Sequence, residues 1–241
     1  MARFMRFALC VLVGASMSSP VSALKLIEPT LHIAPGGVDG PRVALTLDAC
    51  TGAVDERILT TLVDNDVPAT VFVTGRWLRH NPGALKVLLA HPDLFELEDH
   101  GENHIPAVIG SEQPYGLIPA GTPQAVTAEV GNGAHDVLAV SGRQPVWYRG
   151  AAALYSADAM TLINSMGYRI AGFSLNADLG ASLSEKGAAK RFETAVDGDV
   201  IIAHVNQPTR PAGAGIAEGI LALKSKGFRF VRLEDVNEIG G

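Results

Sequence analysis

The sequence contains few cysteines, few aromatic residues and no excess of basic residues. Two cysteines and 6% aromatic residues occur among its 241 positions, and 19 Lys and Arg stand against 25 Asp and Glu, a net charge of −6. Such a chain has no basic footprint for nucleic acid, which excludes DNA and RNA binding as its function. No apolar run of about 20 residues, the length that spans a membrane, occurs in the body of the chain. The 47% hydrophobic content is too high for a disordered protein.

The first 23 residues have the pattern of a signal peptide. Arg3 and Arg6 precede an apolar run over 7–13, and small residues at 21–23 form a cleavage site. A buried first helix is the alternative, which the short, unpatterned apolar run disfavours. We therefore expect export to the periplasm or the medium. The expected organisation is a cleaved signal peptide over 1–23, an N-terminal extension over 24–40, one domain over 41–236 and a C-terminal tail over 237–241.

Export would leave the mature chain with a single thiol. Cys10 is removed with the signal peptide, so Cys50 has no partner for a disulfide within the chain. A lone thiol in an oxidising compartment is buried, bound to a metal, reactive or paired between chains. The surroundings of Cys50 in the sequence have to decide among these roles.

Past residue 40, strand and helix patterns alternate along the chain. The expected strands are apolar on both faces, which is typical of a parallel sheet covered by helices on both sides. This alternation leaves an open doubly wound sheet or a closed barrel. Strands are expected at 42–47, 68–75, 95–100, 145–150, 168–176, 199–206 and 228–233, and helices at 55–65, 76–90, 123–140, 182–196 and 214–226, with one more that begins at Ser156.

Polar and ionisable residues follow most of these strands. In an α/β fold the carboxyl ends of parallel strands carry the chemistry, so these side chains are expected around one pocket. Each residue alone is a weak signal, because an Asp after a strand is usually a helix cap. The set comprises Asp48, Cys50, His100, Glu102, His104, Arg149, Asn176, Asp178 and His204.

These segments resemble the five motifs of the NodB-homology polysaccharide deacetylases, carbohydrate esterase family 4, over residues 40–236. The family's T-F-D-D-G, H-x-x-x-H, R-P-P-Y, D-x-x-D-W and L-x-H are matched by TLDAC (46–50), HGENH (100–104), YRGA (148–151), NAD (176–178) and IAH (202–204). The resemblance implies a distorted (β/α) barrel of about seven parallel strands. It also implies metal-dependent removal of N-acetyl or O-acetyl groups from N-acetylglucosamine-containing saccharides: chitooligosaccharide, peptidoglycan or exopolysaccharide.

The resemblance assigns roles to these residues. Asp48 would be the general base, Arg149 would hold its carboxylate ionised, and His204 would be the general acid that protonates the leaving amine. Asp178 or Asn176 would orient His204. If their segment is helical, His100 and His104 would point at one divalent ion, zinc first, with cobalt and nickel as alternatives.

Residue 49 departs from the family pattern. The family's second Asp, its third metal ligand, is Ala49 here. Cys50 could supply a thiolate instead, Glu102 or Asp48 could ligate, or substrate and water could complete a weaker site. Packing under the loop and a role as a nucleophile are the other possibilities for Cys50. A saccharide-binding protein that lost its third ligand and its catalysis is the alternative function.

The wall of the substrate groove also differs from the family. The third motif lacks both prolines and its aromatic residue, and the fourth lacks its tryptophan. Trp147, Tyr148 and Tyr155 could stack on a sugar ring or pack in the core. The segment 105–121 is either a lid that shapes the substrate site or an inert insertion.

Overall fold

The computed structural model describes Met1 and residues 25–240. The expected signal peptide therefore lies, apart from Met1, outside the described residues. The strands are β1 (Leu31–Ile33), β2 (Arg42–Ala49), β3 (Ala69–Val73), β4 (Phe95–Asp99), β5 (Trp147–Tyr148), β6 (Arg169–Ile170), β7 (Leu175–Asn176), β8 (Val200–His204), β9 (Arg229–Val231) and β10 (Glu238–Gly240). The helices are α1 (Glu56–Asp64), α2 (Gly75–His80), α3 (Pro82–Ala90), α4 (Pro123–Ser141), α5 (Ala157–Ser165), α6 (Glu185–Phe192) and α7 (Ala212–Ser225).

One curled parallel sheet organises the molecule. Its strands follow the order β6-β5-β4-β3-β2-β8-β7, and β9 pairs with the first residues of β2. Helices pack on the outer face of this sheet, which confirms the expected distorted (β/α) barrel of about seven parallel strands. A separate antiparallel pair joins β1 to β10. In the part of the chain that the structure describes, the helices are too short or too polar to cross a membrane.

Strand β2 shows how the sequence pattern separates the core from the site. Its odd-numbered residues over 43–49 belong to the large apolar core between sheet and helices. Thr46 and Asp48 alternate with them and face the barrel interior, where both contact Arg149. Because successive strand residues point to opposite faces, this one strand contributes to both the core and the candidate site.

The helix expected over 76–90 is two helices. Its break lies at Asn81 (φ −124°, ψ 53°), directly before Pro82. Proline has no N–H to continue the helical ladder, and it disfavours helical geometry in the residue before it. Elsewhere the helix signals hold: Ser156 caps α5 through its side chain, as expected.

The strand expected over 168–176 is also divided, into β6 and β7. The residues between them present the carbonyl oxygens of Ala171 and Gly172 to the guanidinium of Arg149. Gly172 lies so close to the N-terminal extension that a Cβ there would be 2.2 Å from the carbonyl oxygen of Pro29. Arg149 therefore spans the place where the two edges of the curled sheet face each other.

Candidate active site

Asp48 lies at the end of β2 with a fully buried arginine as its partner. Nη1 of Arg149 donates to Asp48 Oδ1 at 3.0 Å and to Thr46 Oγ1 at 2.8 Å. The guanidinium also lies 4.3 Å from the centre of the Phe72 ring. Burial alone would raise the pKa of Asp48, but the positive charges of Arg149 and the nearby histidines lower it below its ordinary value. Asp48 is therefore ionised at neutral pH.

Three potential metal ligands converge beside this carboxylate. One ligand atom from each of Cys50, His100 and His104 lies within 4.8 Å of the other two. His100 Nδ1 lies 2.5 Å from the carbonyl oxygen of Arg149, so it is the nitrogen that donates, and Nε2 lies 3.5 Å from Cys50 Sγ. A hydrogen bond of this kind fixes the tautomer and leaves the Nε2 lone pair available to a metal. Asp48 Oδ2 is 3.9 Å from the same Nε2.

The segment that brings the two histidines together is a loop, which corrects the helical geometry considered for it. Gly101 has φ +83° and His104 has φ +65°, and the two imidazole centres are 5.0 Å apart with edge-to-face rings. The carboxylate of Glu129 holds this loop by accepting the backbone N–H groups of Asn103 and Ile105. Convergence therefore comes from left-handed backbone turns and a buried acceptor, which sequence spacing does not reveal.

The side chain of residue 49 does not face this cluster. Ala49 is fully buried in the core on the helix side of the sheet, in line with Leu47. Cys50, one residue later, reaches the cluster in its place. Glu102 is engaged elsewhere: its Oε2 accepts from Asn132 at 2.8 Å, and it is absent from the group of converging ligands.

The thiol of Cys50 lies among imidazole rings. Burial would raise its pKa, but the charge of His100 and hydrogen bonds from His100, His104 and His204 lower the pKa well below its ordinary value. Burial would in turn lower the pKa of His100, whereas the charges of Asp48 and Cys50 raise it to about 9. Without a metal the cluster is thus a thiolate beside a protonated His100; a soft divalent cation would displace that proton and bind the thiolate and imidazole donors.

His204 lies across the sheet from Asp48 and has its own carboxylate. The two residues are direct neighbours in the register of β2 and β8. Asp178, fully buried, lies 3.0 Å from Nδ1 of His204 through Oδ1, and its Oδ2 accepts the backbone N–H of His204 at 2.7 Å. Asn176 instead accepts the N–H of Leu179. Burial would lower the pKa of His204, but Asp178 raises the pKa well above its ordinary value.

These groups open into one cavity of about 470 Å³. Of the expected site residues, Asp48, Cys50, His104 and His204 line this cavity, whereas His100, Arg149 and Asp178 are buried behind them as their partners. The volume falls within the range of about 300–1,000 Å³ that is usual for small-molecule sites. Sequence reasoning missed several residues that complete the wall: Glu28, Tyr115, Leu117, Phe173, Leu179 and Gln207.

Of the two roles left open for Trp147, Tyr148 and Tyr155, the structure shows core packing and not sugar stacking. Trp147, Tyr148 and Tyr155 are all buried, and the Tyr155 hydroxyl accepts the backbone N–H of Gly150. All three belong to the core because the strand and loop that carry them turn inward. Tyr115, 78% exposed, and Phe173 are the aromatic side chains among the described residues that line the cavity. The position of Tyr115 between Pro114 and Gly116 was the available signal, since a turn displays its side chain to solvent.

Strained backbone is concentrated around this cavity. Seven non-glycine residues among those described have positive φ, and five of them line the cavity. Left-handed geometry costs a non-glycine residue about 1 kcal/mol or more, and such residues cluster at functional sites. The five are His104, Tyr115, Ala152, Ala153 and Leu179.

Comparisons with known proteins agree with this geometry. The family model for polysaccharide deacetylase matches residues 36–171. A peptidoglycan N-acetylglucosamine deacetylase is similar in structure, with TM-score 0.69, 17% identity, and 86% of this chain and 91% of that chain covered. A family 4 carbohydrate esterase from Streptomyces lividans is similar with TM-score 0.63 and 18% identity, and the match covers 82% of this chain and 93% of that chain. A CE4 family pseudoenzyme from Bacillus anthracis is similar with TM-score 0.67 and 17% identity, and the match covers 85% of this chain and 67% of that chain.

The search of curated proteins finds no match. The family model alone spans more than half of the chain, and it includes the strand ends that carry Asp48, His100 and Arg149. The fold of the solved structures extends the likeness to more than four fifths of the chain. The chain belongs to the polysaccharide deacetylase family.

Proposed function

We propose that this protein is an exported, metal-dependent deacetylase that removes N-acetyl groups, and secondarily O-acetyl groups, from N-acetylglucosamine-containing glycans. The observation that carries the proposal is the convergence of Cys50, His100 and His104 beside the ionised Asp48. Family membership supports an acetylated saccharide as substrate. The signal-peptide pattern over 1–23 supports action in the periplasm or the medium.

Zinc is the cation that fits the converging side chains. Catalytic zinc sites usually combine three protein ligands with an open position, and thiolate and imidazole are favoured zinc ligands. Cys50, His100 and His104 provide such a set, with cobalt and nickel as substitutes. A divalent cation held by them supplies Lewis-acid polarisation of the acetyl carbonyl and lowers the pKa of water.

The remaining side chains divide the proton transfers. Asp48 takes the proton from the attacking water, and Arg149 keeps this carboxylate ionised and in position. His204, whose pKa Asp178 raises, is protonated at neutral pH and gives its proton to the departing amine. Asp178 also holds the His204 ring through Nδ1, which leaves Nε2 as the nitrogen that faces the substrate.

A non-catalytic glycan-binding protein is the second candidate. Ala49, in the motif position of the family's third ligand, favours it, and one of the similar structures is a pseudoenzyme. Two observations favour the enzyme. Ala49 faces the apolar core while Cys50 reaches the ligand cluster, and the pairs Asp48–Arg149 and His204–Asp178 are both in place.

Metal analysis combined with acetate release tests the proposal. The purified mature protein should carry close to one zinc per chain and release acetate from N-acetylglucosamine oligomers. His100→Ala with His104→Ala should lose both, while His135→Ala, at an exposed histidine outside the site, should lose neither. Absence of metal and turnover, with glycan binding retained, would establish the binding protein instead.

Two further variants separate the roles of Cys50 and Asp48. Cys50→Ser should lose metal together with activity; loss of activity with the metal retained would make Cys50 a nucleophile. Asp48→Asn should keep the metal and the glycan and reduce turnover by about 10²–10⁴-fold, the usual contribution of a general base. Activity within a few-fold of the wild type would remove Asp48 from that role.

A further inference from the structure

A second, smaller cavity lies next to the candidate active site. It has a volume of about 180 Å³ and shares Thr51 with the larger cavity. Thr51 directly follows Cys50, so the second cavity begins one residue beyond the proposed thiolate ligand. A glycan whose acetylated sugar occupies the larger cavity can therefore extend over Thr51 into the smaller one. Its lining comprises Thr51, Gly52, Ala53, Arg76, His80 and Asn81.

The charge of this cavity is opposite to that of the protein. No acidic side chain lines it, whereas the chain as a whole carries a net charge of −6. Arg76 is exposed and forms no side-chain hydrogen bond or ion pair with the other described residues. Arg79, on the same helix, is by contrast paired with Asp136 at 2.7 Å. Arg76 is thus a free cation that faces a cavity contiguous with the site.

The walls of the second cavity are held rigidly. Asn81 donates to the carbonyl oxygen of Gly52 and accepts the N–H of Val54, which fixes the loop after β2. Gly52 packs closely on the neighbouring loop, because a Cβ there would be 2.1 Å from the carbonyl oxygen of Asn206. The backbone N–H of Arg76, on another wall, donates to the backbone carbonyl oxygen of Glu102 at 2.8 Å. A preformed polar cavity costs little entropy to occupy.

We propose that this cavity is a subsite for an anionic substituent, a carboxylate or a phosphate, on the sugar next to the one that is deacetylated. The inference rests on the proposed function, since it assigns the neighbouring subsite of the same substrate. Arg76 supplies a charge-assisted hydrogen bond to the anion, and the Thr51 hydroxyl adds a neutral donor. The protein then prefers acidic glycans over neutral chitooligosaccharides of equal length.

The test compares three oligomers of equal length with wild type and variants. One alternates N-acetylglucosamine with a sugar that bears a carboxylate, the second is the same oligomer with the carboxylate reduced to an alcohol, and the third carries a phosphate instead. Wild type should deacetylate the carboxylated or phosphorylated oligomer with a kcat/KM about tenfold above that of the reduced one, the contribution of one charge-assisted hydrogen bond. The more strongly preferred anion identifies the substituent.

Arg76→Gln should abolish this preference by lowering kcat/KM for the charged oligomers to about that of the reduced one, while Arg76→Lys should restore part of it. Arg79→Gln is the matched control and should keep the preference. Raising the salt concentration should reduce the preference in wild type only, because an exposed charge is screened. Equal rates on charged and reduced oligomers in wild type, or a preference that survives Arg76→Gln, would overturn the subsite.

Binding separates this outcome from failure of the proposed function. Calorimetry with Asp48→Asn and the three oligomers measures the anion preference without turnover. A lack of acetate release from every oligomer contradicts the deacetylase. Loss of anion-selective binding on Arg76→Gln supports the subsite even then, and binding that ignores the charge contradicts the subsite while leaving the deacetylase intact.

Discussion

Two places in the barrel interior treat buried carboxylates in opposite ways. Strand β4 directs Glu96 and Glu98 inward, and His100 follows with the same two-residue period at the candidate active site. At the active site, the carboxylate of Asp48 has Arg149 and His100 as neighbours. Glu98, two strands away from Asp48 in the register of the sheet, has the carboxyl group of Glu96 as its neighbour.

Burial alone does not decide whether a carboxylate is ionised. Burial raises the pKa of Asp48 and of Glu98 alike, but cations around Asp48 reverse the effect. Around Glu98, the charge of Glu96 adds to burial and raises the pKa to about 9. The barrel interior therefore holds an ionised base, Asp48, and a carboxyl pair, Glu96 and Glu98, that retains a proton. Three substitutions test this contrast.

Removing the Arg149 cation from beside Asp48 should have the largest effect on stability and activity. Arg149→Met leaves the buried Asp48 carboxylate without its partner, and the carbonyl oxygens of Ala171 and Gly172 without their donors. Breaking a buried ion pair costs about 3–5 kcal/mol of unfolding free energy. The pKa of Asp48 should rise, and activity should fall by about 10²–10⁴-fold.

Urea unfolding and acetate release measure the two effects of Arg149→Met. Arg143→Met is the control, since Arg143 pairs with Glu234 at an exposed position. Unfolding free energy and activity both close to wild type in Arg149→Met would show that the guanidinium does not hold Asp48 ionised.

Removing the charge beside the proposed acid should have an intermediate effect. In Asp178→Asn, His204 loses the carboxylate that raises its pKa, so the pKa should fall toward or below the ordinary histidine value. Because the acid must be protonated, the alkaline limb of the pH–activity profile should move to lower pH. Activity at pH 8 should fall by about tenfold for each unit that the limb moves below that pH.

The pH profile itself is the measurement for Asp178→Asn, with an amide substrate and an activated ester in parallel. An activated alcohol leaves without a proton, so the ester profile should change less than the amide profile. Identical changes on both substrates would argue that His204 is not the acid.

The sequence was sufficient to predict the sheet and the residues at its strand ends. Parallel strands place their carboxyl ends together, so Asp48, Arg149 and His204 could be assigned to one rim without knowledge of the loops. Their agreement with the family motifs supplied the roles. The structure brings Asp48 and His204 into one cavity because β2 and β8 pair in register.

What the sequence could not predict depends on contacts between distant segments. The left-handed geometry at His104 requires Glu129 as acceptor, and the interruption between β6 and β7 serves Arg149. The alternating acids of β4 look like an exposed strand face, yet both enter the barrel. Glu96 is satisfied by Thr70 and by the N–H of Glu234, a residue 138 positions away.

Neutralising Glu98 should have the smallest effect of the three changes. It should raise stability, whereas the other two changes lower stability or activity. Glu98 accepts the N–H groups of Val146 and Trp147 through Oε2 and lies against Glu96. Its pKa is raised to about 9 in the folded protein, so unfolding at higher pH releases a proton. Wild-type stability should therefore fall as pH rises from about 4.5, the ordinary pKa range of a glutamate, toward 9.

Glu98→Gln keeps an oxygen that accepts from both N–H groups. Because glutamine does not titrate, unfolding no longer releases a proton at this position. At pH 8 it should raise the unfolding free energy by on the order of 2 kcal/mol, and it should flatten the pH dependence between 5 and 9. Glu98→Leu, which leaves the N–H groups of Val146 and Trp147 without their acceptor, should destabilise instead. Urea unfolding at several pH values decides the case. If Glu98→Gln loses stability with rising pH as steeply as wild type, Glu98 is ionised in the folded protein, as Asp48 is.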